Sequence, residues 1–181
     1  MTEKPLEHPR TDWAAVADSL SPVEVIDEPV LVKKRSRDFF WYSPVLNAQL
    51  KKCFGDLVAV PKTPDEMRHC LQRAFEADVP VTLRGGGTGN YGQAVPLKGG
   101  LIIETTKMNR ILEIGEGYVR AEVGALMADG TAALIEQGWE MAVVPSPQDI
   151  DPLGGLVAGG SAGVRPARER APPAHGQEPH A

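Results

Sequence analysis

The stretch VTLRGGGTGNYGQAVP, residues 81–96, passes from a β-like tetrapeptide into five glycines between Gly85 and Gly92. Glycine lets the backbone approach an anion closely and point its N–H groups at it, so a glycine-rich turn directly after a strand reads as a phosphate cradle. The residues upstream place that cradle. In TPDEMRHCLQRAFEADVP, Thr63 is the expected N-cap, Pro64 the first helical residue and Glu66 the capping-box partner. Met67, Cys70, Leu71, Ala74 and Phe75 then recur at the spacing of one helix face. This helix separates LVAV from VPVTLR, so residues 57–84 form a β-α-β unit with two parallel strands. The glycine loop therefore opens at the carboxyl end of a parallel strand, where open α/β sheets bind ligands.

Other segments have clear local signals. TDWAAVADSL is a short helix capped at Thr11 or Asp12, and SPVLNAQLKKCFG is a helix with Ser43 as N-cap, Pro44 at N1 and Gly55 past its last turn. GLIIETT reads as a buried strand and RILEIGEGYVRAEVG as a hairpin turned at Gly115-Glu116-Gly117. LMADGTAALIEQG is a helix ending at Gly138, weakened in its middle by Gly130.

Composition narrows the class. At 42% hydrophobic and 24% charged over 181 residues, the chain suits one globular domain. A formal net charge of −5 argues against a nucleic-acid partner, and KKRSR at 33–37 reads as a solvated run. No window approaches the roughly 18 apolar residues of a membrane span, and the amino terminus lacks the apolar core of a signal peptide. Cys53 and Cys70 lack metal or redox spacing, so a reduced, cytoplasmic setting and no metal site are expected. His69 reads as a packing or surface residue beside the helix stripe. The aromatic group in FFWYSP at 39–44 reads as a core patch, and Tyr91 as a packed loop residue.

Gly87, Gly89 and Gly92 satisfy a G-x-G-x-x-G spacing, but the third glycine leads to Pro96, Gly99 and Gly100 and then a strand. A dinucleotide fingerprint of the Rossmann type needs a helix there. No Gly-Lys-Ser/Thr closes the run either. The loop's own amides must hold the anion, an arrangement that suits a diphosphate.

RGGGTGNYG, preceded by VAVPKTPDEMRHCLQRAFEADVPV and followed by GGLIIETTKMNRILEI, resembles the amino-terminal part of flavin-binding domains of the p-cresol methylhydroxylase or vanillyl-alcohol oxidase type. Within these FAD-linked oxidases it is most similar to members such as the glycolate oxidase flavin subunit and D-lactate dehydrogenases. The resemblance implies an α+β fold: a small parallel β-α-β lobe, then a partial, mainly antiparallel β lobe with helices starting near residue 100. It implies FAD as cofactor, with Arg84, Gly85, Gly86, Gly87, Thr88, Gly89 and Asn90 at its pyrophosphate. Thr88 stands where many relatives carry a linking histidine, so non-covalent FAD is expected. The later Pro…Gly-Gly element resembles Pro145 and PLGGLVAGGSAG, making Gly154, Gly155, Ala158, Gly159 and Gly160 secondary cofactor contacts. Pro152 and Leu153 depart from the family's usual Thr-Ile there, and tight packing of small residues explains the same cluster equally well.

The expected organisation is an amino-terminal extension over 1–49, a partial FAD-binding domain over 50–164 and a disordered tail over 165–181. RPARERAPPAHGQEPHA has four prolines and no aliphatic residue larger than alanine. This change after Val164 reads as a shifted reading frame, a truncated gene or a naturally short tail. By the resemblance, the substrate cap and proton-handling residues lie further on, so catalytic residues are unassigned and no turnover by the chain alone is expected. The parent reaction implied is hydride transfer from a substrate such as a 2-hydroxy acid to flavin. The expected partners are FAD, that substrate and a downstream catalytic domain or subunit. The competing reading is a non-catalytic nucleotide-binding module or an inactive fragment.

Overall fold

Strands β1 (Glu24–Ile26), β2 (Leu57–Val60), β3 (Val81–Arg84) and β4 (Leu101–Glu104) form one sheet in the order β1-β2-β4-β3. β2 and β3 both run parallel to β4, and β1 pairs antiparallel with β2. The structure, a computed structural model, describes residues 11–38, 43–116, 118–139, 141 and 149–160. It divides into two units, Met1–Lys107 and Met108–Ala181.

In the first unit, period-two alternation along the buried strands separates two cores. Leu57, Ala59, Leu101 and Ile103 face helices α1 (Trp13–Ser19) and α4 (Pro64–Glu76), where they meet Val16, Leu20, Cys70 and Ala74. Val58, Val60 and Ile102 face the other way and pack with Val32 of α2 (Pro29–Arg35). Burial of both faces explains the unbroken apolar runs of β2 and β4, and each large aliphatic side chain so buried contributes about 1.5–3 kcal/mol. The segment before residue 50 thus supplies Val16, Leu20, Val23 and Val32 to these cores and packs as part of the unit.

Helix starts follow their caps. Asp12, not Thr11, caps α1 by accepting the Ala15 N–H at 3.1 Å. Thr63 caps α4 by accepting the Glu66 N–H at 3.1 Å. Glu66 reaches back one residue beyond the cap, accepting the Lys62 N–H at 2.7 Å. The apolar stripe of α4 is only partly core: Cys70 and Ala74 are fully buried, whereas Leu71 and Phe75 are exposed, Phe75 at 86%. The stripe is wider than the sheet surface that α4 covers. Helix α3 (Pro44–Leu50) is capped by Ser43 as expected but ends before Lys51. Gly55 is no C-cap; its N–H donates to Ser36 Oγ at 3.0 Å.

β2 and β3 are parallel, as expected, and β4 lies between them. The place of β4 differs from the sequence-based expectation. The strand expected to open the second lobe therefore completes the first sheet, where its buried run Leu101-Ile102-Ile103 finds apolar cover on both faces.

The second unit holds the antiparallel pair β5 (Ile111–Gly115) and β6 (Tyr118–Ala121), with α5 (Met127–Ile135) and α6 (Leu153–Ala158). Gly117 of the turn lies outside the described residues. Glu122 is buried after β6, where Oε1 accepts from Arg110 Nη2 at 2.6 Å and Oε2 accepts the Arg110 N–H at 2.9 Å. These bonds hold the Glu122 carboxyl below its ordinary pKa. Gly130 is buried in α5, and a Cβ there would make only ordinary contacts with Met141 and Leu153, at 3.4 and 3.6 Å, so nothing in its surroundings explains this helix-weakening residue.

Candidate phosphate-binding site

The chain leaves β3 at Arg84, which the sheet register places opposite Glu104 at the end of β4. Beside this point is a cleft of about 200 Å³ lined by Lys34, Arg35, Arg84, Gly85, Gly86, Glu104 and Thr106. Three cations thus face one carboxylate. Arg35 Nε lies 3.0 Å from Glu104 Oε2 without an N–H aimed at the oxygen, and Arg84 Nε lies 3.7 Å from the same oxygen. Glu104 is divided between two guanidinium groups, and positive charge is left over. Burial lowers the Arg84 pKa from its ordinary value, with Arg35 acting in the same direction and Glu104 and Asp38 opposing. An arginine stays protonated through such a shift, and at 13% side-chain exposure its charge is poorly screened.

The loop itself is open along one arc and closed at one end. Among the described residues, the six N–H groups of Gly85, Gly86, Gly87, Thr88, Gly89 and Asn90 have no hydrogen-bond acceptor. The next two are engaged: Tyr91 N–H donates to Gln93 Oε1 at 3.0 Å, and Gly92 N–H donates to Asp38 Oδ2 at 2.7 Å. Gly87 has φ +68°, and a Cβ built on it would fall inside the Arg84 guanidinium. No L-residue meets both requirements without strain. Gly92, at φ +83°, makes the turn that closes the loop.

The second cluster is built otherwise. Pro145 lies outside the described residues. Gly154 is a packing residue: its N–H donates to the Val123 carbonyl at 2.9 Å, and a Cβ there would meet that oxygen at 2.7 Å. The Leu153 N–H donates to the Ala125 carbonyl at 2.8 Å. Gly155, Ala158, Gly159 and Gly160 are exposed, and Gly159 and Gly160 donate back to Gly155 and Val157 within the same turn.

His69 Nε2 lies 3.0 Å from the Ser19 carbonyl, joining α4 to the end of α1 as a structural contact. The Cys70 thiol is pushed up to about 11, first by burial and then by the Glu66 charge, which makes it unreactive at neutral pH. Tyr91 is 76% exposed, not packed as expected from sequence. Among the described residues no group of His, Cys, Asp or Glu could hold a metal, and no helix is long and apolar enough to cross a membrane.

Sequence reasoning missed Lys34, Arg35, Asp38, Glu104 and Thr106. The run KKRSR was read as solvated, yet Lys34 and Arg35 line the cleft and the Arg37 carbonyl receives the Arg84 guanidinium. The available signal was the concentration of cations in the last turn of α2, but no local pattern shows that this turn ends beside β4.

Open amides and surplus positive charge at the carboxyl end of parallel strands are the donor set that a phosphate-bearing ligand requires. A family model described as FAD binding domain matches residues 55–169, and the chain belongs to that family. The chain is 38% identical over 109 residues to an uncharacterised FAD-linked oxidoreductase of Mycobacterium tuberculosis, covering 59% of this chain and 24% of that protein. It is 35% identical over 112 residues to glycolate oxidase subunit GlcD of Bacillus subtilis, covering 61% and 24% respectively. The chain thus spans about a quarter of the length of these curated relatives. Its fold is that of p-cresol methylhydroxylase with substrate bound, at TM-score 0.70 and 16% identity over 88% of this chain and 31% of the other. Alkyldihydroxyacetonephosphate synthase shares the fold at TM-score 0.67 and 21% identity, over 89% and 33%. The open amides, of which those of Gly85 and Gly86 share a cleft with Lys34, Arg35 and Arg84, fit the diphosphate of the family's cofactor, FAD, in donor chemistry and in charge.

Proposed function

We propose that this chain is the FAD-binding portion of an FAD-linked oxidoreductase that oxidises a 2-hydroxy acid. The observation that carries the reading is the run of six amides from Gly85 to Asn90 that have no acceptor among the described residues, beginning at Gly85 and Gly86 in a cationic cleft. In this reading the amides donate to the diphosphate oxygens. Arg84, with Lys34 and Arg35, offsets the phosphate charge, at about 1.5–3 kcal/mol for each charge-assisted bond. Gly87, at φ +68°, supplies a left-handed turn within the run. Gly155, Ala158, Gly159 and Gly160 are secondary contacts to the rest of the cofactor, whereas the Gly154 amide is committed to Val123. Bound FAD would supply the hydride-accepting chemistry, and the protein groups hold and orient it.

The substrate class rests on relatives named glycolate oxidase subunit, D-lactate dehydrogenase and D-2-hydroxyglutarate dehydrogenase. A downstream catalytic domain or subunit is the proposed partner for substrate handling, since the matched portion is about a quarter of those proteins, and the cytoplasm is the proposed location. Residues 50–164 are taken as the FAD-binding portion, with Lys34 and Arg35 of the preceding segment completing its cleft.

FAD titration of the purified chain, followed by quenching of flavin fluorescence, tests the reading. Saturable binding that survives Cys70→Ala is expected; no binding at millimolar FAD would overturn it. Because Thr88 occupies the linker position, acid precipitation of the loaded protein is expected to leave a yellow supernatant and a colourless pellet. Flavin fluorescence retained in the pellet would show a covalent bond instead.

A further inference from the structure

Residues 37 and 38 hold both ends of the glycine loop. At its start, Arg84 Nη1 donates to the Arg37 carbonyl at 2.6 Å, across 47 positions of sequence. At its end, Gly92 N–H donates to Asp38 Oδ2 at 2.7 Å, across 54 positions. We infer that Arg37 and Asp38 form a clamp that sets the opening of the phosphate arc, with Asp38 as its positioning residue. The inference rests on the loop being the phosphate site.

The clamp has a fixed base. Ser36, immediately before it, is fully buried: its N–H and Oγ both donate to the Val32 carbonyl, and its Oγ accepts the Gly55 N–H at 3.0 Å. Arg37 is held from its own side chain, with Nη2 donating to the Lys51 carbonyl at 3.1 Å and the guanidinium 5.2 Å over the Phe54 ring. A base tied to Val32, Gly55, Lys51 and Phe54 transmits its position to the carbonyl and carboxylate that grip the loop.

The Asp38 carboxylate has two effects. It keeps Gly92 in its left-handed turn through a charge-assisted hydrogen bond. It also places negative charge beside the closed end of the loop, 3.9 Å from where a Gly89 Cβ would stand. A diphosphate is disfavoured at that end and favoured at the start of the arc, where Gly85 and Gly86 line the cleft with Arg84. Fixing the arc before binding also removes the ordering cost that a free glycine loop would carry.

The test uses hydrogen exchange of the cofactor-free chain together with FAD titration. Asp38→Ala is expected to speed exchange at Gly92 and the adjoining amides while leaving β2 and β4 unchanged, and to weaken FAD binding about tenfold. Asp38→Asn keeps an oxygen acceptor without the charge. It is expected to retain the protection at Gly92 and to bind FAD as tightly as the parent, or more tightly. Should Asp38→Ala not fold, Asp38→Ser, too short to reach Gly92, replaces it with the same expectations. Unchanged loop exchange in Asp38→Ala or Asp38→Ser would overturn the clamp, as would an Asp38→Asn protein that exchanges as fast as they do. Because exchange is read without FAD, these results stand apart from the proposed function. A parent chain that binds no FAD removes the function, and loop exchange still decides the clamp.

Discussion

The two glycine clusters, residues 85–92 and 154–160, look alike in sequence and are used differently. In the first, six consecutive amides lack acceptors among the described residues, and three basic side chains share a cleft with the first two of these residues. In the second, Gly154 packs against Val123, and the amides of Gly159 and Gly160 return to Gly155 and Val157. Glycine content alone therefore does not mark an anion site. Uncommitted N–H groups next to surplus positive charge do, because an anion gains only from donors that the fold has not already used.

The largest effect that separates the clusters is expected at Gly87. Gly87→Val combines a forbidden φ with collision against Arg84 and pulls one or two amides away from the phosphate, so the FAD dissociation constant should rise on the order of 100-fold. Equal titration curves for Gly87→Val and the parent would remove the loop from the site. Arg84→Met comes next: it keeps the apolar stem of the side chain but loses the guanidinium, with its charge and its grip on Arg37, so an affinity loss of about tenfold is expected. That loss should shrink in high salt, as the electrostatic part of binding is screened; a salt-independent loss would mean that Arg84 acts by packing alone.

In the second cluster the expected losses are of stability. Gly154→Ala should destabilise the chain by about 1–3 kcal/mol in denaturant unfolding, because the colliding atoms belong to the Val123 backbone and cannot move aside cheaply. Its FAD affinity, measured where the protein is folded, should stay close to that of the parent. The smallest effect belongs to Gly155→Ala, a helical position where a Cβ meets only Pro152 at 3.6 Å. It should raise stability by about 0.5–1 kcal/mol through helix propensity, with less than roughly a threefold change in FAD affinity. A Gly155→Ala protein that loses FAD as completely as Gly87→Val would erase the distinction between the clusters.

Local signals carried much of the fold. Thr63, Pro64 and Glu66 announced the start of α4, Ser43 and Pro44 that of α3, and the turn residues Gly115-Glu116-Gly117 the β5-β6 hairpin. These readings succeed because caps, turns and short-range pairing are settled by residues within a few positions of one another. The loop from Gly85 to Asn90 was legible for the same reason. Four of the seven residues that line the cleft were not. Lys34 and Arg35 lie about fifty positions upstream of the loop, in a basic run whose composition matches any solvated helix end. Leu71 and Phe75 mislead in the opposite direction, because periodicity shows which face of a helix is apolar and not how much of that face finds cover.

The sequence by itself determined that residues 57–84 make a β-α-β unit and that its second strand opens into a glycine loop with an arginine at its mouth. It also determined that no helix follows to carry the phosphate on its N-terminus. Each of these depends on backbone stereochemistry and hydrogen bonding over short range. Only the tertiary structure decided that β4 inserts between β2 and β3, which sets Glu104 beside Arg84, that the end of α2 lines the cleft, and that Asp38 closes the far end of the loop. Strand order and long-range contacts follow from how buried apolar faces are jointly covered, a property of the packed chain that no local window of sequence contains.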